Sequence, residues 1–361
     1  MKATQRLHDA GQSLWLDNIT RAMLEGDVLR RYIEELSVTG LTSNPTIFDQ
    51  AIKSGDDYDP AIRRKLAAAR TGEGLFFELA LEDLTRAADL FRGVHERTAG
   101  VDGWVSLEVS PVLAYDTKST IAQARELHGR AGRPNLLMKI PGTKEGLPAI
   151  EETIFAGVPV NVTLLFSREQ YVDAAEAYMR GLERRVAAGL NPAVGSVASI
   201  FVSRWDRAVA DRVPADLRNQ LGIAVGRRTY KAYRDLLNSD RWLRLANAGA
   251  RPQRLLWAST GTKDPAASDI LYVKALAAPH TVNTMPEPTL LAFAERGDIG
   301  PLLPADGGDA EAVLARFQKA GVDLDALAAT LQHEGADAFV KSWQELLDVI
   351  GAKSETLRGN R

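Results

Sequence analysis

The segment LLMKIPGTKEGLPAIEETIFAGVPVNVTLLF (136–166) decides the fold class of this chain. It begins with a short apolar run, LLMKIPG (136–142), passes through a helical pattern, and ends in a second apolar run, VPVNVTLLF (158–166). Short runs that are apolar almost throughout are typical of parallel strands buried on both faces. The segment therefore predicts a strand–helix–strand unit with its two strands parallel.

The same unit recurs along the chain, which contains eight strand-like runs separated by helical patterns. The other six runs are SLWLDNI (13–19), VTGLTSN (38–44), WVSLEVS (104–110), AVGSVASIFVS (193–203), RLLWAST (254–260) and HTVNTMP (280–286). Eight strands that alternate with helices predict an α/β protein with a single (β/α)8 barrel, the TIM barrel, over residues 1–361. The alternative is an open doubly wound sheet, but no G-x-G-x-x-G follows the first strand.

Three regions are too long for simple strand–helix repeats. Residues 45–103 and 204–253 predict additional helices inserted after strands 2 and 6. C-terminal helices at about 305–355 are expected to pack on the barrel. The last of them is amphipathic through Leu324, Leu327, Leu331, Phe339, Trp343, Leu346 and Ile350. Such a helix packs across the barrel or against a partner, and we favour the barrel; monomer and homodimer both stay open.

Composition excludes several classes of function. The 44 basic and 47 acidic residues give a net charge of −3, which predicts neither nucleic acid nor membrane as a partner. The chain has no cysteine, so thiolate chemistry and cysteine metal sites are excluded. The five histidines lack the spacing of a zinc site, and we expect no metal. The N-terminus lacks the apolar core of a secretory signal, so we expect a cytoplasmic protein.

Polar side chains interrupt or follow nearly all of the apolar runs. In a barrel the carboxyl ends of the strands meet on one face, where active sites lie. Each such residue has a structural alternative, because buried carboxylates are usually paired and strand lysines often reach water. Their convergence on one rim favours a site. They are Asp17, Asn44, Glu108, Lys139, Asn161, Thr163, Ser199, Arg204, Ser259 and Lys263.

Lys139 is the predicted nucleophile. Its neighbours Leu137, Met138 and Ile140 form an apolar setting, which disfavours the ammonium and favours the nucleophilic amine of a Schiff-base lysine. The alternative is an ion pair with Glu108 on the neighbouring strand. That pair is compatible with catalysis, because the same two groups could exchange protons.

Two carboxylates and two amides accompany this lysine. Schiff-base carbon–carbon chemistry needs proton transfers at more than one place, and Asp17 and Glu108 could perform them separately. Alternatively, Asp17 caps the helix that follows it. Asn44 and Asn161 carry amides that both donate and accept, which suits vicinal hydroxyls of a sugar.

The remaining polar residues predict a phosphate site. Ser199, Arg204, Ser259 and Lys263 supply two hydroxyls and two cations on adjacent strands. Gly261 would let backbone amides approach an anion closely. The alternative is a solvated rim, since rim charges are common and mostly inert.

Four runs resemble signatures of transaldolases. GLTSNPTIF (40–48) resembles the first signature, and LLMKIPGTKEGLPAIE (136–151) resembles the second, which contains the Schiff-base lysine. VNVTLLFS (160–167) and TVNTMPEPTL (281–290) are also typical. The resemblance extends from about Leu14 to about Leu290, and it points to the longer bacterial transaldolases.

The resemblance implies a cofactor-free class I transaldolase of the pentose phosphate pathway, built on a (β/α)8 barrel. Such enzymes move a dihydroxyacetone unit from sedoheptulose 7-phosphate to glyceraldehyde 3-phosphate. By motif, Lys139 forms the imine and Asp17 takes the proton from the hydroxyl whose carbon–carbon bond breaks. Glu108, with a water positioned by Thr163, handles protons at the carbinolamine.

The resemblance also implies that Asn44 and Asn161 hold the dihydroxyacetone hydroxyls, and that Arg204 and Ser259 bind the phosphate. Two stretches depart from familiar members: SIFVSR (199–204) lacks a proline and a glycine that many relatives carry, and ASTGTKDP (258–265) has Gly261 where shorter relatives have arginine. Lys263 is the candidate for the missing charge. A fructose 6-phosphate aldolase-like activity and a non-catalytic sugar-phosphate binding protein are the rival functions.

Overall fold

The computed structural model describes residues 1–359 and contains a closed barrel of eight parallel strands in the order β1 to β8. Each predicted run overlaps one strand, and β1 pairs with β8, so the barrel is confirmed and the open doubly wound sheet is wrong. The strands are Gln12–Leu16 (β1), Val38–Thr42 (β2), Trp104–Glu108 (β3), Leu136–Pro141 (β4), Val160–Leu165 (β5), Ser196–Phe201 (β6), Gln253–Ala258 (β7) and Thr281–Met285 (β8).

Helices surround the barrel and fill the long connections. Three helices follow β2, three follow β6, and a short and a long helix come last within the described residues. The helices are Ala3–Asp9 (α1), Arg21–Glu25 (α2), Val28–Glu35 (α3), Pro45–Lys53 (α4), Asp59–Ala67 (α5), Gly72–Arg97 (α6), Thr117–Ala131 (α7), Gly146–Phe155 (α8), Arg168–Ala187 (α9), Ser203–Val209 (α10), Leu221–Leu237 (α11), Asp240–Asn247 (α12), Leu271–Ala275 (α13), Glu287–Arg296 (α14), Ala310–Lys319 (α15) and Leu324–Gly359 (α16).

The register of β3, β4 and β5 places three polar residues side by side. Glu108 pairs with Lys139 across β3 and β4, and Lys139 pairs with Asn161 across β4 and β5. Register partners on parallel strands present their side chains to the same face of the sheet. The three side chains therefore meet inside the barrel near its carboxyl end.

Strand β5 contains an irregularity close to this point. Its register with β6 shifts between Val162 and Leu165, and Leu164 has a positive φ of 59°. A leucine rarely adopts this left-handed conformation. A bulge of this kind bends the strand and redirects the side chains beside it.

Helix α16 runs along the carboxyl side of the barrel and packs on α4, α5 and α6. Trp343 stacks edge-on against Phe76 at 4.9 Å between ring centroids, and the Thr46 hydroxyl donates to Ser342 Oγ at 2.8 Å. The apolar stripe of this helix is therefore used for packing within the chain. Helices long and apolar enough to span a membrane are absent from residues 1–359.

Candidate active site

A cavity of about 140 Å³ opens at the carboxyl ends of the strands. All of the predicted site residues line it except Glu108, which lies directly behind Lys139. Its lining residues are Asp17, Thr42, Asn44, Lys139, Asn161, Thr163, Ser199, Phe201, Arg204, Ala258, Ser259, Gly261, Lys263, Thr284, Pro286 and Phe339.

Lys139 and Glu108 form a buried ion pair at the base of the cavity. Lys139 Nζ lies 2.9 Å from Glu108 Oε2, and the exposed fractions of the two side chains are 7% and 3%. The lysine also donates to the Ser43 carbonyl oxygen at 3.3 Å. Burial raises the pKa of the Glu108 carboxyl, although Lys139 opposes the rise. Glu108 therefore holds a proton more readily than a free glutamate, as a general acid must.

Asp17 lies across the cavity from this pair. It accepts a hydrogen bond from the Thr42 hydroxyl at 2.7 Å, and Thr42 in turn lies 2.5 Å from the Thr284 hydroxyl. Burial raises the pKa of the Asp17 carboxyl, while Lys139 and the bond from Thr42 lower it. A carboxylate whose pKa is raised is a stronger base than that of an exposed aspartate.

The alternative role for Asp17, as a helix cap, is not what the structure shows. Helix α2 is capped by Thr20, whose hydroxyl oxygen accepts from the Met23 amide at 3.1 Å. The Asp17 carboxylate points instead to Thr42 and the cavity.

The two predicted amides are held in different ways. Asn161 is fully buried; its Nδ2 donates to Ser106 Oγ at 3.0 Å, and its Oδ1 accepts from Ser199 at 2.7 Å. Asn44 is the N-cap of α4, and its Oδ1 accepts from the Ile47 amide at 3.0 Å. Both asparagines therefore keep free amide donors for a ligand, while their carbonyl oxygens are already engaged.

Ser199 lines the cavity, but its hydroxyl group is hydrogen-bonded within the chain. Its hydroxyl proton is donated to Asn161, so it cannot at the same time be donated to a phosphate. The sequence could not reveal this, because the bond joins residues on neighbouring strands, 38 positions apart.

The cationic side of the cavity contains Arg204 and Lys263. The Arg204 guanidinium lies 5.0 Å from the ring centroid of Phe201 and 5.8 Å from that of Phe339. It forms no salt bridge within residues 1–359, and burial together with Arg207 lowers its pKa. A partly buried guanidinium that forms no salt bridge is suited to binding an anionic ligand.

Lys263 places its ammonium group close to Gly261. A Cβ atom built on Gly261 would lie 3.9 Å from Lys263 Nζ. The ammonium therefore reaches the place where a side chain at position 261 would begin. Ser259, which has a positive φ of 55°, is held beside it by a 2.9 Å contact between its hydroxyl and that of Ser203.

Several lining residues were not predicted from the sequence. Thr42 and Thr284 look like ordinary β-branched strand residues, and Phe201 looks like a core aromatic. Phe339 belongs to the apolar stripe of α16, and its ring centroid lies 5.3 Å from Lys139 Nζ. Only the tertiary fold distinguishes these residues from core residues.

No group of three or more histidine, aspartate and glutamate side chains in the part of the chain described here is arranged to hold a metal ion. The cavity brings together an amine, a carboxyl group, amides and two cations, and a second carboxyl group lies behind the amine. These groups suit imine formation and proton transfer on a small carbonyl compound that carries an anionic group.

Comparison with known proteins agrees with this chemistry. The model of a family described as Transaldolase/Fructose-6-phosphate aldolase matches residues 14–350. A transaldolase of Saccharopolyspora erythraea is 46% identical over 353 residues, or 96% of each chain. A transaldolase of Thermobifida fusca is 46% identical over 355 residues, again 96% of each chain. Transaldolase 1 of Streptomyces coelicolor is 44% identical over 357 residues, which are 96% of this chain and 94% of the relative.

The matched region includes the barrel, apart from the first two residues of β1, and most of α16, and all of the residues that line the cavity lie within it. The chain therefore belongs to the transaldolase and fructose-6-phosphate aldolase family, and it is a transferase enzyme.

Proposed function

We propose that this enzyme is a cytoplasmic transaldolase of the pentose phosphate pathway. It transfers a dihydroxyacetone unit from sedoheptulose 7-phosphate, or from fructose 6-phosphate, to an aldose phosphate through a Schiff base on Lys139. The observation that carries the proposal is the 2.9 Å contact between Lys139 and Glu108 in a buried cavity that Asp17 also lines. The lining residues belong to one chain, so the proposal holds for a monomer and for a homodimer alike.

The first half of the reaction uses Lys139 and Glu108. The neutral amine attacks the carbonyl carbon of the ketose and forms a carbinolamine. Glu108 then donates a proton to the departing hydroxyl, which leaves as water, and the nitrogen forms a protonated imine with the substrate. Glu108 Oε1 and Thr163 Oγ1 are both buried without a hydrogen-bond partner in residues 1–359, which suits a water held between them.

The second half uses Asp17. The carboxylate takes the proton from the hydroxyl on the carbon beyond the bond that breaks. The electron pair of that carbon–carbon bond moves toward the protonated imine, and the shortened aldose leaves with a new carbonyl group. The enamine that stays on Lys139 attacks the acceptor aldehyde, and the same steps in reverse release the product.

Binding follows from the polar groups around these three residues. The free amide donors of Asn44 and Asn161 bind the hydroxyls of the dihydroxyacetone unit, and Ser199 orients Asn161 through its 2.7 Å hydrogen bond. Arg204 and Lys263 bind the phosphate together with the Ser259 hydroxyl, which lines the same cavity.

Two rival functions predict different products. A fructose 6-phosphate aldolase would release free dihydroxyacetone. A non-catalytic binding protein would neither release dihydroxyacetone nor transfer it, and it would not need Lys139, Glu108 and Asp17 together. The test is to incubate the enzyme with fructose 6-phosphate, with and without erythrose 4-phosphate, and to quantify sedoheptulose 7-phosphate and dihydroxyacetone. We expect sedoheptulose 7-phosphate only when the acceptor is present. Free dihydroxyacetone as the main product would contradict the proposal.

A further inference from the structure

Helix α16 brings three residues of one face onto the carboxyl end of the barrel. Gln332, Gly335 and Phe339 are three and four positions apart, a spacing that places side chains on the same side of a helix. Phe339 forms part of the cavity wall. Gly335 lies where a Cβ atom would come within 2.9 Å of Leu164 and within 3.0 Å of Arg204. Residues on successive turns of the helix therefore contact the cavity or the strands beside it.

Gln332 joins the ends of two strands that carry site residues. Its side-chain amide donates to the carbonyl oxygen of Gly142 at 3.0 Å and to that of Leu164 at 2.9 Å. Gly142 directly follows β4, the strand that carries Lys139, and Leu164 directly follows Thr163 in β5. The Gly142 amide also donates to the Thr163 carbonyl oxygen at 2.7 Å.

The Leu164 carbonyl oxygen that accepts from Gln332 belongs to the bulge of β5. Leu164 has a φ of 59°, which is unfavourable for a residue with a Cβ atom, and the register of β5 shifts there. Strained backbone of this kind persists only where the surroundings hold it in place. The bulge follows Thr163, whose buried hydroxyl lines the cavity and has no hydrogen-bond partner in residues 1–359.

We infer that Gln332 is a positioning residue of the active site: it binds the Leu164 and Gly142 carbonyls and so fixes the bulge that presents the Thr163 hydroxyl to Lys139 and Glu108. This inference rests on the proposed function, because it gives Thr163 its part in the proton transfers at the carbinolamine. Gln332 itself does not line the cavity, so it acts through the backbone of β5.

The test compares Gln332→Leu with the wild-type enzyme in the transfer assay. The leucine lacks the amide donor, so we expect kcat to fall roughly tenfold or more, as for a misplaced catalytic group. KM for fructose 6-phosphate should change less than about twofold, because Arg204 and Lys263 are untouched. Gln344→Leu is the matched control: Gln344 is exposed on the same helix, donates to Asp348 and should leave both constants unchanged. If Gln332→Leu does not fold, Gln332→Met makes the same comparison with an unbranched side chain.

A double variant separates positioning from general stability. If Gln332 acts through Thr163, adding Gln332→Leu to Thr163→Val should cost less than about a further twofold in kcat. Two independent losses that multiply would overturn the inference, and so would wild-type turnover in Gln332→Leu. Failure of the wild-type enzyme to transfer at all would instead overturn the proposed function, so the two failures are distinguishable.

Discussion

At the scale of single residues, the site depends on polar groups placed in apolar strands. Lys139, Glu108 and Asp17 could be predicted because each interrupts or ends a run that is otherwise apolar, and a charged side chain is rarely fully buried unless it is paired. Thr42 and Thr284 could not be predicted, because threonine is also a common strand residue. The hydrogen bond that commits Ser199 to Asn161 depends on the register of β5 and β6, which the sequence does not state.

Replacement of Arg204 by alanine tests the anion site. The Arg204 guanidinium lines the cavity and forms no salt bridge within residues 1–359, so its loss should raise KM for fructose 6-phosphate by roughly tenfold or more, which corresponds to the free energy of one charged hydrogen bond. KM for unphosphorylated dihydroxyacetone as donor should change by less than about twofold. Steady-state kinetics with both donors measures the difference.

Arg212→Ala serves as the control for this prediction, since Arg212 is an exposed arginine outside the cavity. Equal increases in KM for the two donors would show that Arg204 does not bind the phosphate.

At the scale of elements, the strands and the amphipathic pattern of α16 followed from periodicity, whereas the place where α16 meets the site did not. The sequence pattern of Phe339, Trp343 and Leu346 predicts burial but does not say against which surface. The bulge at Leu164 could not be predicted either. An apolar run has the same sequence pattern whether or not its register shifts by one residue. These features arise from contacts between segments that are far apart in sequence.

Replacement of Gly335 by alanine tests the contact between α16 and the site. A methyl group at Gly335 would lie within 3.0 Å of the Arg204 guanidinium and closer still to Leu164, so both side chains must move. We expect Gly335→Ala to raise KM for fructose 6-phosphate about fivefold or more, because the phosphate-binding cation is displaced. Gly351→Ala on the same helix has open space around the new methyl group and should have wild-type kinetics. Wild-type KM in Gly335→Ala would mean that the helix does not constrain Arg204.

At the scale of the whole molecule, the two ends of the barrel have different tasks. The carboxyl end contains the cavity, and the amino end contains a buried network around Asp102. Asp102 accepts hydrogen bonds from Trp15 Nε1 at 2.8 Å and from Ser13, and it lies 3.8 Å from Arg254. We propose that residues 1–361 form one domain with the C-terminal helices packed on the barrel; residues 360–361 lie outside the described part.

Removal of Asp102 should separate stability from activity. Asp102→Ala leaves the buried Arg254 charge and the Trp15 donor without this partner, so the free energy of unfolding should fall by about 3 kcal/mol. Below the melting transition, kcat should stay within about twofold of wild type, because the change lies at the opposite end of the barrel. Urea unfolding and the transfer assay measure the two quantities.

Asp57→Ala, at an exposed position, is the control and should change neither quantity. A large loss of kcat in folded Asp102→Ala would show that the two ends of the barrel are coupled.

The central claim is that Lys139 forms the Schiff base, and borohydride trapping tests it most directly. The enzyme is mixed with fructose 6-phosphate, reduced with borohydride, digested and mapped by mass spectrometry, beside Lys139→Met and the exposed-site control Lys118→Met. We predict a stable three-carbon adduct on the peptide that contains Lys139 in wild type and Lys118→Met, and no adduct in Lys139→Met. An adduct on another lysine, or transfer activity that survives in Lys139→Met, would contradict the account.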